Sequence, residues 1–318
     1  KLVVEHVGGG SNTIYSRTYG YTSIGNIAST TNNPYTYALT DYANPHAPTS
    51  INGVTLTYDN NGNLTNHGTS TFRWDYRNQV TQAGTGSATS TYGYDYAGNR
   101  TSQTVGAVTT KYANKLYSST GATTTKYIFA GDTLIATVEK TTTATTTFIV
   151  HADHLGGSNV VSDASGNIAQ VIDYYPYGSL RINVQNTSLD EKRKFIGQYY
   201  DEDTELSYLN ARYYDGARGQ FTSQDPMFLG DPRMQNLQNP QSLNSYSYAE
   251  NNPIVKSDPS GRCVGPLVAV CIGGGIGAIG GIANQAFNDY LTGEFGERSW
   301  QENIRAYGVA AGQGAIVG

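Results

Sequence analysis

The sequence predicts an all-β protein built from consecutive antiparallel hairpins. Of its 318 residues, 26 are tyrosine, and tyrosine, like threonine, suits a pleated strand with one wet face. A short motif also recurs, in which an aromatic residue ends one strand, Gly-Asn supplies a turn with a positive φ and an apolar residue begins the next strand. No stretch of the first 150 residues shows a helical period.

Composition excludes several classes of protein. The chain has 20 Lys and Arg against 25 Asp and Glu, a net charge of −5, which argues against a nucleic-acid partner. Charged residues are 14% and apolar residues 38%, which is not the profile of a disordered chain. The two cysteines, Cys263 and Cys271, are too few for a disulfide framework or a thiolate zinc site. The length is typical of about two domains.

The turn motif recurs in the first 150 residues. Its copies are Tyr21–Ile27, Tyr58–Leu64, Tyr94–Arg100 and a weaker Trp74–Val80, a spacing of about 20 residues with one copy skipped. A single hairpin cannot bury its own face, so neighbouring copies must stack side by side. Further along, residues 126–139 predict a hairpin with a glycine turn.

A second zone, from 151 to 262, keeps strand and turn residues, but its segments do not repeat one another. Its motifs are, in order, His151–Gly156, Ser162–Ile168, Asp173–Gly178, Phe195–Asp201, Tyr208–Asp215, Gly219–Pro226, Tyr246–Pro253 and Ser257–Gly261. In this order they resemble the core domain that ends the repeats of bacterial Rhs proteins, and the earlier copies resemble the YD repeats of that family. The family is related to the C component of Tc toxins and to teneurins.

The resemblance implies a fold and a role. YD hairpins of such proteins wind into a spiral sheet that closes into a hollow shell, and the core domain caps one end. The implied domains are a YD-repeat sheet over 1–150, a core domain over 151–262 and the start of a variable region over 263–318. The implied protein is the shell and cap of a secreted or surface-bound bacterial toxin. Its partners would be its own C-terminal cargo and a secretion-system or surface component, with no cofactor.

Three residues resemble the self-cleavage site of the family: Arg212, Asp225 and Asp258. Two carboxylates that lie together cannot both ionise cheaply, so one becomes an acid while the other stays a base. A nearby arginine would hold one of them ionised. The resemblance implies a single aspartic self-cleavage, between Arg262 and Cys263.

The sequence departs from the family at three points, which keep a second hypothesis open. Arg262 stands where the family usually has an apolar residue, and burying its charge would be costly. Gln224 precedes Asp225 where proline is common, and about ten residues near 230–240 are inserted before Asp258. The alternative is that both Asp-Pro pairs are structural turns. The chain would then be a structural or adhesive surface protein that binds glycans or a partner.

A metal site is a weaker hypothesis. His151 and His154 have a His-x-x-His spacing beside Asp153, which metal ligands can show. Such residues more often have structural roles, so we predict no metal.

The last 56 residues change composition again. The uncharged run 263–287 is long enough to span a bilayer, but its glycines lower helix propensity. It therefore predicts a membrane-contacting element, a buried helix or an extended strand. Ser299–Glu302 is typical of a helix start. Because Lys1 is not a methionine and the chain stops inside a Gly/Ala run, we expect a piece of a longer protein.

Overall fold

The computed structural model describes residues 2–6, 15–39, 44–86, 88–227 and 240–262, and within them it confirms the predicted all-β class. The strands are β1 (Leu2–His6), β2 (Tyr15–Tyr21), β3 (Ile27–Thr30), β4 (Asn33–Tyr37), β5 (Pro48–Ile51), β6 (Val54–Tyr58), β7 (Leu64–His67), β8 (Ser70–Trp74), β9 (Val80–Thr85), β10 (Ala88–Tyr94), β11 (Arg100–Val105), β12 (Val108–Asn114), β13 (Tyr117–Thr120), β14 (Thr123–Ala130), β15 (Thr133–Lys140), β16 (Thr145–Ala152), β17 (Ser158–Asp163), β18 (Ile168–Tyr174), β19 (Leu180–Gln185), β20 (Tyr199–Asp201), β21 (Leu206–Leu209), β22 (Arg212–Asp215) and β23 (Gln220–Phe221). Short 3-10 turns lie at Phe195–Gly197, Pro240–Leu243 and Ala249–Asn251.

The strands form two sheets. Strands β1 to β19 make one antiparallel sheet in which each strand pairs with the next, and β20 to β23 make a second sheet. The first sheet continues without a break across residue 150 to Gln185. The division into domains at that residue stays a prediction.

The turn between repeats has the predicted conformation and is longer than Gly-Asn alone. Gly62 has a φ of 78° and Gly98 one of 88°, in the left-handed region that glycine tolerates. Asp59 begins the turn: its Oδ1 accepts the backbone N–H groups of Asn61 and Asn63 at 2.9 and 2.8 Å, and its Oδ2 accepts the Asn63 side chain at 2.9 Å. The aspartate therefore closes a five-residue loop, whereas the glycine only permits its bend.

Three of the aromatic residues that end repeats, Tyr58, Trp74 and Tyr94, reach back to the hairpin before them. The Trp74 indole donates to the Leu64 carbonyl at 2.7 Å, and the Tyr94 hydroxyl donates to the Val80 carbonyl at 2.8 Å. The Tyr58 hydroxyl makes an equivalent bond to the preceding hairpin. Tryptophan can replace tyrosine here because both carry a large apolar ring with one polar donor. This bond ties successive hairpins together.

One face of the long sheet is covered by the second sheet and its flanking segments. Leu64 and Val80, which begin strands on that face, are each 1% exposed. Aromatic rings fill the interface: Tyr92 packs against Tyr213 with centroids 5.2 Å apart, and Tyr112 packs edge-on against Tyr199 at 4.8 Å. The core therefore combines apolar area with many hydroxyl groups.

The long sheet curls until its beginning meets its end. The Tyr15 ring in β2 packs edge-on against Tyr175, in the loop between β18 and β19, with centroids 5.2 Å apart. Nearby, the Tyr21 and Tyr177 hydroxyl groups share a hydrogen bond of 2.8 Å. The twist of antiparallel strands accumulates in one direction and makes such curling possible.

Some predicted features lie outside the described residues. These are the 263–287 run, the helix start at Ser299–Glu302 and nearly all of the insertion near 230–240. Across the described ranges, none of the helices is long and apolar enough to span a bilayer.

Candidate functional site

Arg212 is the centre of the candidate site. It is the first residue of β22 and follows a tight turn at Asn210, whose φ is 61°. Its side chain is 2% exposed. The guanidinium lies over the Phe221 ring, with its central carbon 3.5 Å from the ring centroid. The ring face attracts the cation and holds the guanidinium plane in one orientation.

The guanidinium joins the three residues that the sequence selected. Its Nη2 lies 3.2 Å from Asp225 Oδ2 and 3.5 Å from Asp258 Oδ2. Its Nη1 donates to the Ser245 carbonyl at 2.8 Å, and its Nε donates to the Gly261 carbonyl at 2.5 Å. The structure thus brings Arg212, Asp225 and Asp258 together, although 46 residues separate the first from the last.

The two carboxyl groups have different surroundings. The Asp225 side chain is 18% exposed and the Asp258 side chain only 2%. Because one guanidinium faces both groups, a proton on one of them relieves their mutual repulsion. Burial disfavours ionisation most at Asp258, whereas Asp225 is closer to the guanidinium and to water. Ionisation is therefore costlier at Asp258 than at Asp225.

Residues around Asp258 complete its setting. The Ser260 hydroxyl donates to Asp258 Oδ1 at 2.9 Å. Tyr248 is fully buried close by, and burial raises the pKa of the Tyr248 phenol above its ordinary value. The tyrosine is therefore neutral throughout the physiological range.

The segment before the predicted cut lies on the turn between β21 and β22. The Asn210 side chain donates to the Pro259 carbonyl at 2.8 Å, and the Ala211 N–H donates to the Ser260 carbonyl at 3.1 Å. Gly261 has a φ of 65°, and a Cβ there would lie 2.5 Å from the Leu209 carbonyl oxygen. Only glycine fits this contact without a backbone shift.

The predicted cut itself is only partly described. Arg262 is partly exposed. Cys263 lies outside the described residues.

Two neighbours of the site, Ser260 and Phe221, were not predicted from the sequence, and a third, Gln224, was predicted only as a departure from the family. Ser260 lies within the Ser257–Gly261 motif but had no predicted role, although the hydroxyl of a serine two residues after an aspartate often donates back to that aspartate. Phe221 carried no local signal, because its contact with Arg212 is made across the sheet. Gln224, where proline was expected, donates to the Asn61 carbonyl at 3.0 Å and so ties the site to a repeat turn.

The residues of the weaker metal hypothesis have protein partners. His151 Nε2 lies 3.1 Å from the Ser162 hydroxyl, and His154 Nε2 lies 2.7 Å from the Ile254 carbonyl oxygen. Asp153 accepts backbone N–H groups in its own turn. In the described part of the chain, no group of three or more His, Cys, Asp or Glu is arranged to hold a metal ion.

Comparisons with known proteins agree with this fold. Residues 3–254 match the family model described as the teneurin YD-shell. The tRNA nuclease WapA of Bacillus subtilis is 32% identical over 237 residues, which is 68% of this chain and 9% of that protein. The toxin protein Tse5 of Pseudomonas aeruginosa is 32% identical over 120 residues, which is 38% of this chain and 8% of that protein. The chain therefore spans less than a tenth of either relative.

Solved structures show the same fold. The crystal structure of TcdB2-TccC3 matches 79% of this chain and 14% of its own, with a TM-score of 0.53 and 19% identity. The Photorhabdus luminescens Tc holotoxin pore matches with a TM-score of 0.51, over 79% of this chain and 13% of its own, also at 19% identity.

Proposed function

This chain belongs to the teneurin YD-shell family, and from that premise we propose that it is the closing part of a bacterial toxin shell. The shell would hold the chain that follows the core domain and release it by one aspartic self-cleavage. Its relatives include proteins named as a tRNA nuclease and as a toxin. A location outside the producing cell, with a secretion-system or surface partner, belongs to the same proposal.

One observation carries the cleavage part of the proposal. Arg212 holds Asp225, Asp258 and the Gly261 carbonyl at the same time. Gly261 comes immediately before Arg262, whose bond to Cys263 is the predicted cut. A purely structural ion pair would not need two carboxylates, and the buried one of the two carries a high cost of ionisation.

The proposed reaction is hydrolysis of the Arg262–Cys263 peptide bond. Asp225 takes a proton from a water molecule, whose oxygen attacks the Arg262 carbonyl carbon, while Asp258 gives its proton to the carbonyl oxygen. The resulting diol collapses, the carbon–nitrogen bond breaks, and Asp225 passes its proton to the nitrogen of Cys263. Asp258 recovers a proton from the diol, so neither residue is consumed.

The site favours one cleavage over repeated turnover. After the cut, the Pro259 and Ser260 carbonyls remain bonded to Asn210 and Ala211, and the Gly261 carbonyl remains bonded to Arg212. The new C-terminus therefore stays where a second substrate would have to bind.

The test compares the purified full chain with Asp225→Asn and Asp258→Asn. We expect the unaltered chain to be cut, and either variant to be cut at least about 100-fold more slowly, because each loses a proton-transfer group. Intact mass locates the cut. The released fragment would begin with Cys263, and a 2-cyanobenzothiazole probe labels only an N-terminal cysteine.

Asp132→Asn is the matched control, because the Asp132 side chain is fully exposed and far from Arg212 in sequence. It should be cut like the unaltered chain. An unaltered chain that stays intact, or asparagine variants that are cut at the normal rate, would refute self-cleavage. Either result would favour the structural or adhesive alternative.

A further inference from the structure

We propose that Ser260 is a positioning residue of the self-cleavage site, which holds Asp258 Oδ1 and so keeps Oδ2 on the side of Asp225. This inference rests on the proposed function and deepens it. Ser260 is 4% exposed, and its hydroxyl is aimed at the carboxyl group two residues earlier in the chain.

The two oxygens of Asp258 face different neighbours. Oδ1 accepts the Ser260 hydroxyl at 2.9 Å. Oδ2 lies 3.5 Å from Arg212 Nη2, and that same nitrogen lies 3.2 Å from Asp225 Oδ2. Oδ2 is thus the oxygen on the side of the second carboxylate.

The hydroxyl fixes which oxygen of Asp258 faces Asp225. A serine hydroxyl can both donate and accept a hydrogen bond, so its contact with Oδ1 persists whether the carboxyl group is ionised or neutral. With Oδ1 held by Ser260, Oδ2 stays on the side of Asp225. Proton exchange between two carboxyl groups requires that one oxygen of each group faces the other. Without the hydroxyl, the Asp258 carboxyl group can turn about its terminal bond and lose this orientation.

The backbone holds Ser260 in place for this task. Its carbonyl accepts the Ala211 N–H at 3.1 Å, and the following Gly261 N–H reaches the Asp258 carbonyl at 3.4 Å. The turn therefore keeps its shape when only Oγ is removed, so Ser260→Ala tests the hydroxyl and not the turn.

The experiment measures the rate of self-cleavage against pH, from about pH 4 to 9, for the full chain and three variants. Reactions start when urea-unfolded chain is diluted into buffer, and tryptophan fluorescence follows folding in the same samples. We expect Ser260→Ala to fold normally and to be cut about tenfold more slowly, the usual upper effect of one lost hydrogen bond. The alkaline limb of its profile should move to higher pH, because ionised Asp258 loses a donor.

Two further variants complete the design. Ser260→Thr keeps the hydroxyl and should be cut within about threefold of the normal rate, since one hydrogen bond is retained. Ser257→Ala removes the hydroxyl of a partly exposed residue that immediately precedes Asp258 in sequence, and it should leave the rate and profile unchanged.

The outcomes separate the two proposals. If the unaltered chain is cut and Ser260→Ala shows the same rate and pH profile, the role of Ser260 is refuted and self-cleavage stands. If Ser260→Ala is slow with an unmoved profile and threonine fails to restore the rate, Ser260 only supports the turn. If the unaltered chain is cut at no pH, both proposals fail.

Discussion

Arg100 departs from the repeat pattern at the scale of a single residue. It begins β11, where other copies of the motif have Leu64 or Val80, and like them it is buried, at 5% exposed. Its Nη1 lies 2.6 Å from Asp201, and the guanidinium lies 4.6 Å from the ring centroid of Tyr208. Burial raises the pKa of Asp201 and Arg100 opposes that shift. The pair is thus stabilised by charge and by an aromatic wall, at a high cost in desolvation.

Loss of the Arg100 guanidinium should strongly destabilise the fold. Arg100→Met leaves Asp201 buried without its cation and should lower the free energy of unfolding by about 3–5 kcal/mol at neutral pH. Urea unfolding followed by tryptophan fluorescence measures the change. The control is Arg77→Met, because Arg77 pairs with Asp75 while 33% exposed, and its loss should cost about 1 kcal/mol or less.

A double variant tests whether the unpaired charge of Asp201 causes this loss of stability. Arg100→Met combined with Asp201→Asn removes both charges and should recover part of the lost stability. Equal losses in the single and double variants would show that packing, and not the unpaired charge, explains the effect.

At the scale of the structural element, the repeat turn at Gly62 bends the chain and also contacts residues beside the candidate site. Gly53 and Gly62 have the same φ of 78°, but their surroundings differ. A Cβ at Gly62 would lie 2.2 Å from Gln224 Nε2 and 2.7 Å from the Tyr246 hydroxyl, whereas a Cβ at Gly53 would meet nothing within 4 Å. Gln224 precedes Asp225, so the turn at Gly62 supports one of the two carboxylates.

The two glycines form a matched pair for mutation. Gly53→Ala should lower the free energy of unfolding by about 1 kcal/mol, which is the cost of holding an alanine in the left-handed backbone region. Gly62→Ala should cost about 1–3 kcal/mol more, because it also displaces Gln224 and Tyr246. Equilibrium unfolding measures both, and self-cleavage should slow only in Gly62→Ala. Equal costs would mean that the docking contact contributes nothing.

At the scale of the whole molecule, Glu191 links stability to pH. Glu191 belongs to the segment before β20 and is fully buried against the long sheet. Thr137 Oγ1 donates to its Oε2 at 2.5 Å, and the Arg193 N–H donates to its Oε1 at 2.9 Å. Burial raises the pKa of Glu191, and these hydrogen bonds only partly oppose the shift. The folded protein therefore binds this proton more tightly than the unfolded chain, whose glutamate pKa is about 4.3. Stability consequently falls as pH rises from that value to the raised pKa.

Glu191→Gln should remove this dependence. The variant resembles the protonated glutamate, so it should gain stability relative to the unaltered chain as pH rises from about 4.5 to 7.5. Urea midpoints at the two pH values measure the gain. Asp132→Asn, which removes a fully exposed carboxylate, is the control. Its urea midpoint should differ from that of the unaltered chain by the same amount at both pH values. A Glu191→Gln difference that does not change with pH would contradict the linkage.

The sequence predicted the features that neighbouring residues control. The β class, the hairpin repeat and the positive φ at Gly62 and Gly98 follow from residues within one turn of each other, since turn chemistry is settled by local sterics and hydrogen bonds. Resemblance to a family added Arg212, Asp225 and Asp258, the three candidate site residues that the structure then placed together.

Tertiary structure alone decided what distant residues control. Three contacts are of this kind: Arg212 lies on the Phe221 ring, Gly62 leaves room for Gln224, and Arg100 is buried against Asp201. Each joins parts of the chain whose positions in the sequence do not predict how far apart they lie in the fold. Burial and ion pairing depend on which faces the folded sheets bring together, and that choice minimises the free energy of the whole chain, not of any one segment. A turn forms from five residues, but a carboxylate pair forms only after the sheets have packed.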